Sequence, residues 1–197
     1  MHTAMVTMDM KYWVRTGMQN PNAWKGRIWH LFEHCNLPNN SGGYLFRVDL
    51  TPSRNPQIFI VSRNRPDPDG LRGEEIMVKV GKVDTGAFQT GNKFHFKSRV
   101  NATMDDKNGR DVERPEADIP RWMSWKLAGG AKVECAVVGQ GKQKARRVGH
   151  QSITHYYYDI KGILEIEDGA VFTDTMATGI GRGKRFGMGL VCPFALV

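Results

Sequence analysis

The chain predicts an α+β fold of two tandem βαββαβ modules. Three observations point there. Short stretches of apolar–polar alternation recur along the whole chain, as half-buried strands require. Each half carries a stretch with helical apolar spacing after its first strand. The order strand, helix, strand, strand then repeats in a second series. The unit is the ferredoxin-like, or RRM-like, arrangement, with an N-terminal module over residues 1–90 and a C-terminal module over 91–197. The second helix of the first module has to fit within 64–75, where Pro66, Pro68, Gly70 and Gly73 oppose it, so it is expected to be reduced to a turn or lost.

The elements follow in order. Residues 3–10 alternate weakly and suit a first strand. Asn20-Pro21 reads as a helix start, an N-cap followed by proline in the first turn. Trp24, Ile28, Leu31, Phe32 and Cys35 then form one apolar stripe, with Lys25, Arg27, His30 and His34 off it, and the helix ends near Asn36-Leu37-Pro38. Residues 44–50 place Tyr44, Phe46, Val48 and Leu50 on one strand face. Residues 57–63 form a strand, 65–70 a turn, and 75–83 a strand with Ile76, Val78 and Val80 inward. In 93–102 the alternation is cleanest: Phe94, Phe96, Ser98, Val100 and Ala102 share one face, Lys93, His95, Lys97, Arg99 and Asn101 the other. Residues 105–115 read as a polar loop, followed by a helix carrying Trp122 and Trp125. A strand over 131–138 leads to an exposed loop or hairpin tip at 139–149, and a long strand covers 153–166. Asp168 caps a helix over 169–178 that ends at Gly179, and 188–196 form the last strand.

Hydrophobic residues at 40% and charged residues at 24% match a folded protein, and no apolar stretch is long enough to span a bilayer. Three widely spaced cysteines suggest neither a disulfide framework nor a cysteine metal site. The N-terminal stretch lacks a basic segment followed by an apolar one, so a cytoplasmic location is expected. The net charge of +8 is the unusual quantity. It is concentrated in three runs free of acidic residues: 11–30 at +4, 139–150 at +4 and 179–189 at +3, leaving −3 elsewhere. Concentrated positive charge suits a phosphate backbone.

Residues 179–189 read Gly-Ile-Gly-Arg-Gly-Lys-Arg-Phe-Gly-Met-Gly. Gly179, Gly181, Gly187 and Gly189 form two GxG pairs, with Arg182, Lys184 and Arg185 between them. Glycines let backbone N–H groups approach phosphate oxygens, and the cations add charge. Neither the dinucleotide fingerprint nor the P-loop fits.

This loop on tandem ferredoxin-like modules resembles the repeat-associated RNA-binding proteins of CRISPR systems. Within them the chain is most similar to the CasE family, the endoribonuclease subunit of the type I-E Cascade complex. Gly26-Arg27-Ile28-Trp29-His30-Leu31-Phe32 resembles that family's first helix. Tyr44-Leu45-Phe46-Arg47-Val48 resembles the strand after it, and Phe94 to Ala102 the first strand of the second module. The resemblance implies a metal-independent cut at the 3′ base of a CRISPR repeat hairpin, with no cofactor. The ribose 2′-OH attacks the adjacent phosphate, leaving a 2′,3′-cyclic phosphate and a 5′-OH. It also implies that the product RNA stays bound, with Cascade-type effector subunits as further partners and no membrane.

In the family a histidine commonly stands four residues before the helix tryptophan, with a tyrosine three residues earlier. Counting back from Trp29 gives Lys25 and Asn22. A lysine there can stabilise the pentavalent phosphorane or protonate the 5′-oxygen, and it acts as a base only with a strongly lowered pKa. His30 is the nearest imidazole and the second catalytic candidate; His95 is a third. For RNA binding the candidates are Arg27, Lys97, Arg99, Lys142, Lys144, Arg146, Arg147, Gly179, Gly181, Arg182, Lys184, Arg185, Gly187 and Gly189. Three readings follow: an active repeat endoribonuclease, a hairpin-binding subunit that cuts slowly or not at all, and an RRM-like RNA-binding protein unrelated to CRISPR.

Overall fold

The computed structural model describes residues 1–35, 43–50, 54–105, 107–108, 111–146 and 152–197. The chain divides into two compact units. One comprises Met1–Val83, Lys144–Ile153 and Arg185–Gly187; the other comprises Asp84–Gln143, Thr154–Lys184 and Met188–Val197.

The first unit is built on β1 (His2–Met8), β2 (Tyr44–Asp49), β3 (Gln57–Ser62) and β4 (Ile76–Lys82). Their order in the sheet is β4-β1-β3-β2, the ferredoxin-like order, with β1 antiparallel to both its neighbours. The helix expected after Asn20 is present. Here α1 denotes Met10–Arg15 and α2 denotes Pro21–Trp29, continued by a 3-10 segment over His30–Cys35. Asn20 caps α2, its side-chain oxygen accepting the Asn22 N–H at 3.2 Å. The apolar stripe of α2 closes the core: Trp24, Ile28, Leu31 and Phe32 are buried with Val6, Met8, Phe46, Ile58 and Ile60. The second helix of this module is reduced to one 3-10 turn, Pro68–Gly70. The predicted end of α2 at 36–38 lies outside the described residues.

The second unit contains β5 (Lys93–Val100), the short pair β6 (Thr103–Asp105) and β7 (Asp111–Glu113), α3 (Ile119–Leu127), β8 (Ala131–Ala145), β9 (Ile153–Ile166), α4 (Gly169–Thr178) and β10 (Val191–Leu196); the far end of β8 and the first residue of β9 count with the first unit. The sheet order is β10-β5-β9-β8, which repeats the first sheet's pattern. Asp168 caps α4 as expected, accepting the N–H groups of Ala170 and Val171. Phe88 meets Phe94 and Phe172 edge to face, with centroids at 5.5 and 5.1 Å. Among the described residues, no helix is long and apolar enough to cross a membrane.

Five local expectations are corrected. The first strand stops at Met8, because Asp9 accepts the Lys11 N–H and starts α1, a helix too short to show a period. Leu50 lies beyond the end of β2 and is exposed. The stretch read as a polar loop over 105–115 includes β7, which pairs with β6. The basic segment after 138 is strand as far as Ala145. Its Gly139 and Gly141 look like loop punctuation, but Gly141 leaves room for the Tyr157 ring on β9. Asn101 is buried rather than outward, its side-chain amide donating to the Tyr156 carbonyl at 2.7 Å.

Candidate nucleic-acid interface

Positive charge in the first unit gathers around the start of α2. Lys25 is half-buried there, and its backbone carbonyl accepts the Tyr44 hydroxyl at 3.1 Å. Burial, followed by the like charge of Arg185, holds the Lys25 ammonium below the ordinary lysine pKa. Helix and Gly-rich loop thus bring two cations into mutual influence. A close approach by glycine helps: a side chain at Gly187, where φ is +79°, would press on Trp24 and Phe46. The segment after β8 is tied to the same helix start. Asn20 and Asn22 both donate to the Arg146 carbonyl, at 2.8 and 2.6 Å, and Asn20 accepts the Arg146 N–H.

The other first-unit candidates take separate positions. The guanidinium of Arg27 lies 5.7 Å from the centre of the Tyr12 ring, which also faces Arg15. His30 is exposed, with Nδ1 2.8 Å from the Glu33 carboxylate. Lys144 and Arg146 are exposed, and Arg147 lies outside the described residues. In the second unit Lys142 is exposed and sits 5.1 Å from the Tyr156 ring centre. Lys97 is half-buried on β5, and His95, also on β5, stacks on Phe194.

Not all of the predicted cations are equally available. Arg99 makes two hydrogen bonds to Asp159, at 2.9 and 2.7 Å, and lies over the Tyr157 ring. Arg182 pairs with Asp111, and Arg15 with Glu75. These acids come from 60 to 71 positions away, so a run free of acidic residues in sequence is not free of them in space. Among the described residues, Lys25, Arg27, Lys142, Lys144, Lys184 and Arg185 have no carboxylate partner. Tyr12, Tyr44, Asn20 and Asn22 were missed as supporting residues. The asparagines could be read only as cap and first turn, because their partner, Arg146, is more than a hundred positions away.

The Gly-rich loop is closed at its base in the second unit. The Ile180 N–H donates to the Gly189 carbonyl at 2.9 Å, and the Gly189 N–H donates to the Arg99 carbonyl at 2.7 Å. Gly189 has φ +85°, and an added Cβ would run into the Ile180 carbonyl oxygen. Gly189→Ala is therefore expected to lower stability by about 2–5 kcal/mol, combining backbone strain with a steric clash. A urea midpoint unchanged from wild type would show that this closure is not part of the folded state.

Comparison with known proteins agrees with this architecture. The chain's fold is similar to that of Thermus thermophilus Cse3 bound to an RNA representing a pre-cleavage complex, with TM-score 0.85 and 18% identity over 98% of each chain. It is also similar to Cas6e from Escherichia coli str. K-12, with TM-score 0.65 and 24% identity over 98% of each chain. A chain of a CRISPR RNA-guided surveillance complex matches with TM-score 0.74 and 15% identity over 100% of each. No curated protein matches the sequence significantly. Those likenesses speak to the fold. The family model described as CRISPR associated protein matches residues 1–192, nearly the whole chain, and so the chain belongs to that CRISPR-associated protein family.

Proposed function

We propose that the protein processes CRISPR RNA. It binds the hairpin of the repeat transcript, cleaves at its 3′ base, and stays on the product within a Cascade-type complex. Family membership supports the RNA class, and the similar folds of an RNA-bound endoribonuclease and of a surveillance-complex subunit support the partners. The observation that carries the reading is the Lys25–Arg185 pair, two cations brought together on α2 and the Gly-rich loop without a carboxylate partner among the described residues.

In this mechanism the 2′-oxygen attacks the adjacent phosphorus. The 2′-O–P bond forms and the P–O5′ bond breaks. Arg185 and the Lys25 ammonium stabilise the negative charge on the non-bridging oxygens of the phosphorane. Lys25, its pKa lowered, gives its proton to the departing 5′-oxygen. The 2′-hydroxyl proton leaves to a base; His30, the second catalytic candidate, is exposed and hydrogen-bonded to Glu33. The nucleophile belongs to the RNA itself, so the cut is expected to proceed in EDTA. Membership of a CRISPR-associated family removes the reading as a module unrelated to CRISPR. A hairpin-binding subunit that cuts slowly is the second reading, favoured by lysine where the family commonly has histidine.

Incubating excess protein with repeat RNA in EDTA is expected to yield a 2′,3′-cyclic phosphate end and a 5′-OH fragment. Bound but intact RNA would favour the second reading, and equal affinity for an unrelated hairpin would sink both.

A further inference from the structure

The second unit holds a cavity of about 600 Å³ that the cleavage chemistry does not use. Its volume lies in the range of sites that enclose small ligands. It is lined by Asn101 and the buried Trp122, against which Gly181 packs closely, by Thr175 and Thr178 of α4, and by Trp125 and Lys126 of α3. Trp125 is 67% exposed. The Lys126 ammonium lies 4.1 Å from its ring centre, holding a cation beside the aromatic face.

The charge of the cavity points the same way. Arg114, Lys126, Arg182 and Lys184 line it, and none of the lining residues is acidic; Asp111, which pairs with Arg182, lies outside the lining. Arg114 is fixed through its backbone, its N–H donating to Ala102 and its carbonyl accepting the Tyr158 hydroxyl. An exposed indole and several cations around one concavity match a flat ring carrying a phosphate.

We infer that this cavity binds one unpaired nucleotide of the RNA, its base stacked on Trp125 and its phosphate held by Arg114 and Lys184. Bases inside a duplex are already stacked and paired, so the nucleotide comes from a single-stranded segment beside the hairpin. The inference rests on the RNA-processing reading for its ligand but not on Lys25.

The test uses anisotropy with the full chain and three labelled RNAs: a repeat hairpin ending flush at its stem, and the same hairpin with six unpaired nucleotides on its 5′ or its 3′ side. Unpaired nucleotides on one side are expected to tighten binding. Trp125→Ala, at an exposed position, should remove about tenfold of that affinity and leave the flush hairpin unchanged. Trp125→Phe should retain most of it, since stacking needs only a ring. Equal affinity of wild type and Trp125→Ala for all three RNAs would overturn the inference, as would an equal loss on all three. Unchanged RNA affinity with loss of partner subunits on purification would assign the cavity to a protein instead, and so overturn it as well. If the flush hairpin does not bind at all, the RNA-processing reading fails separately. Oligoadenylate of six nucleotides, titrated against wild type and Trp125→Ala, then still tests the cavity: a Trp125-dependent affinity supports it, and none overturns it.

Discussion

Lys25→Ala lowers the single-turnover cleavage rate of repeat RNA by about 10²- to 10⁴-fold, the span usual for loss of a proton-transfer group. Hairpin affinity falls by no more than about tenfold, the loss of one cation from a surface that carries several. The pH profile tests the role more sharply. Burial first, and then the like charge of Arg185, hold the Lys25 pKa below its ordinary value. The protonated ammonium is the working form, so the rate falls as pH rises through that lowered pKa. Arg185→Ala removes one of the two causes. The alkaline limb then moves to higher pH even as the maximum rate drops, since a phosphate-binding cation is gone. A limb that stays in place in Arg185→Ala, measured with enzyme in excess, would separate the two residues. Lys25→His restores cleavage relative to alanine, because an imidazole titrates near neutral pH and can also donate a proton.

The second large effect concerns binding. Replacing Lys142, Lys144 and Arg146 together with glutamine weakens hairpin binding by on the order of 10³-fold, roughly tenfold for each cation neutralised. All three side chains are exposed, so the fold is unaffected. Their two-residue spacing puts them on one face of the extended chain. The slope of log affinity against log salt falls by roughly one for each phosphate left without its cation. Titrations at several salt concentrations give that slope, and a slope equal to that of wild type would show that these cations only face solvent.

Local chemistry made much of the fold legible. Asn20-Pro21, Asp168 and Gly179 mark helix ends because caps satisfy backbone groups within a few residues. The alternation of 93–100 gives the burial of β5 because successive side chains of a strand point to opposite faces. Prolines and glycines between 64 and 75 leave the single turn at Pro68–Gly70. Glycine was ambiguous. Gly141 carries the same local signal whether the chain bends or a neighbouring aromatic ring needs the space, and only the position of Tyr157 distinguishes the two.

The candidate site divides along the same line. Residue identity alone determined the two-module architecture, the Gly-rich loop and the presence of lysine at position 25, since these depend on neighbours within a turn or a strand. Tertiary structure decided which charges can act. By sequence Arg99 and Arg182 belong to a basic surface, but Asp159 and Asp111 meet them from distant strands. Lys25, a candidate by its position in the sequence, has its pKa lowered only by burial in the fold and by the approach of Arg185, 160 positions later. The physical reason is range. Backbone hydrogen bonds and side-chain alternation act over a few residues of chain, whereas a Coulomb interaction depends on distance in space and on burial, and neither exists until the sheets have formed.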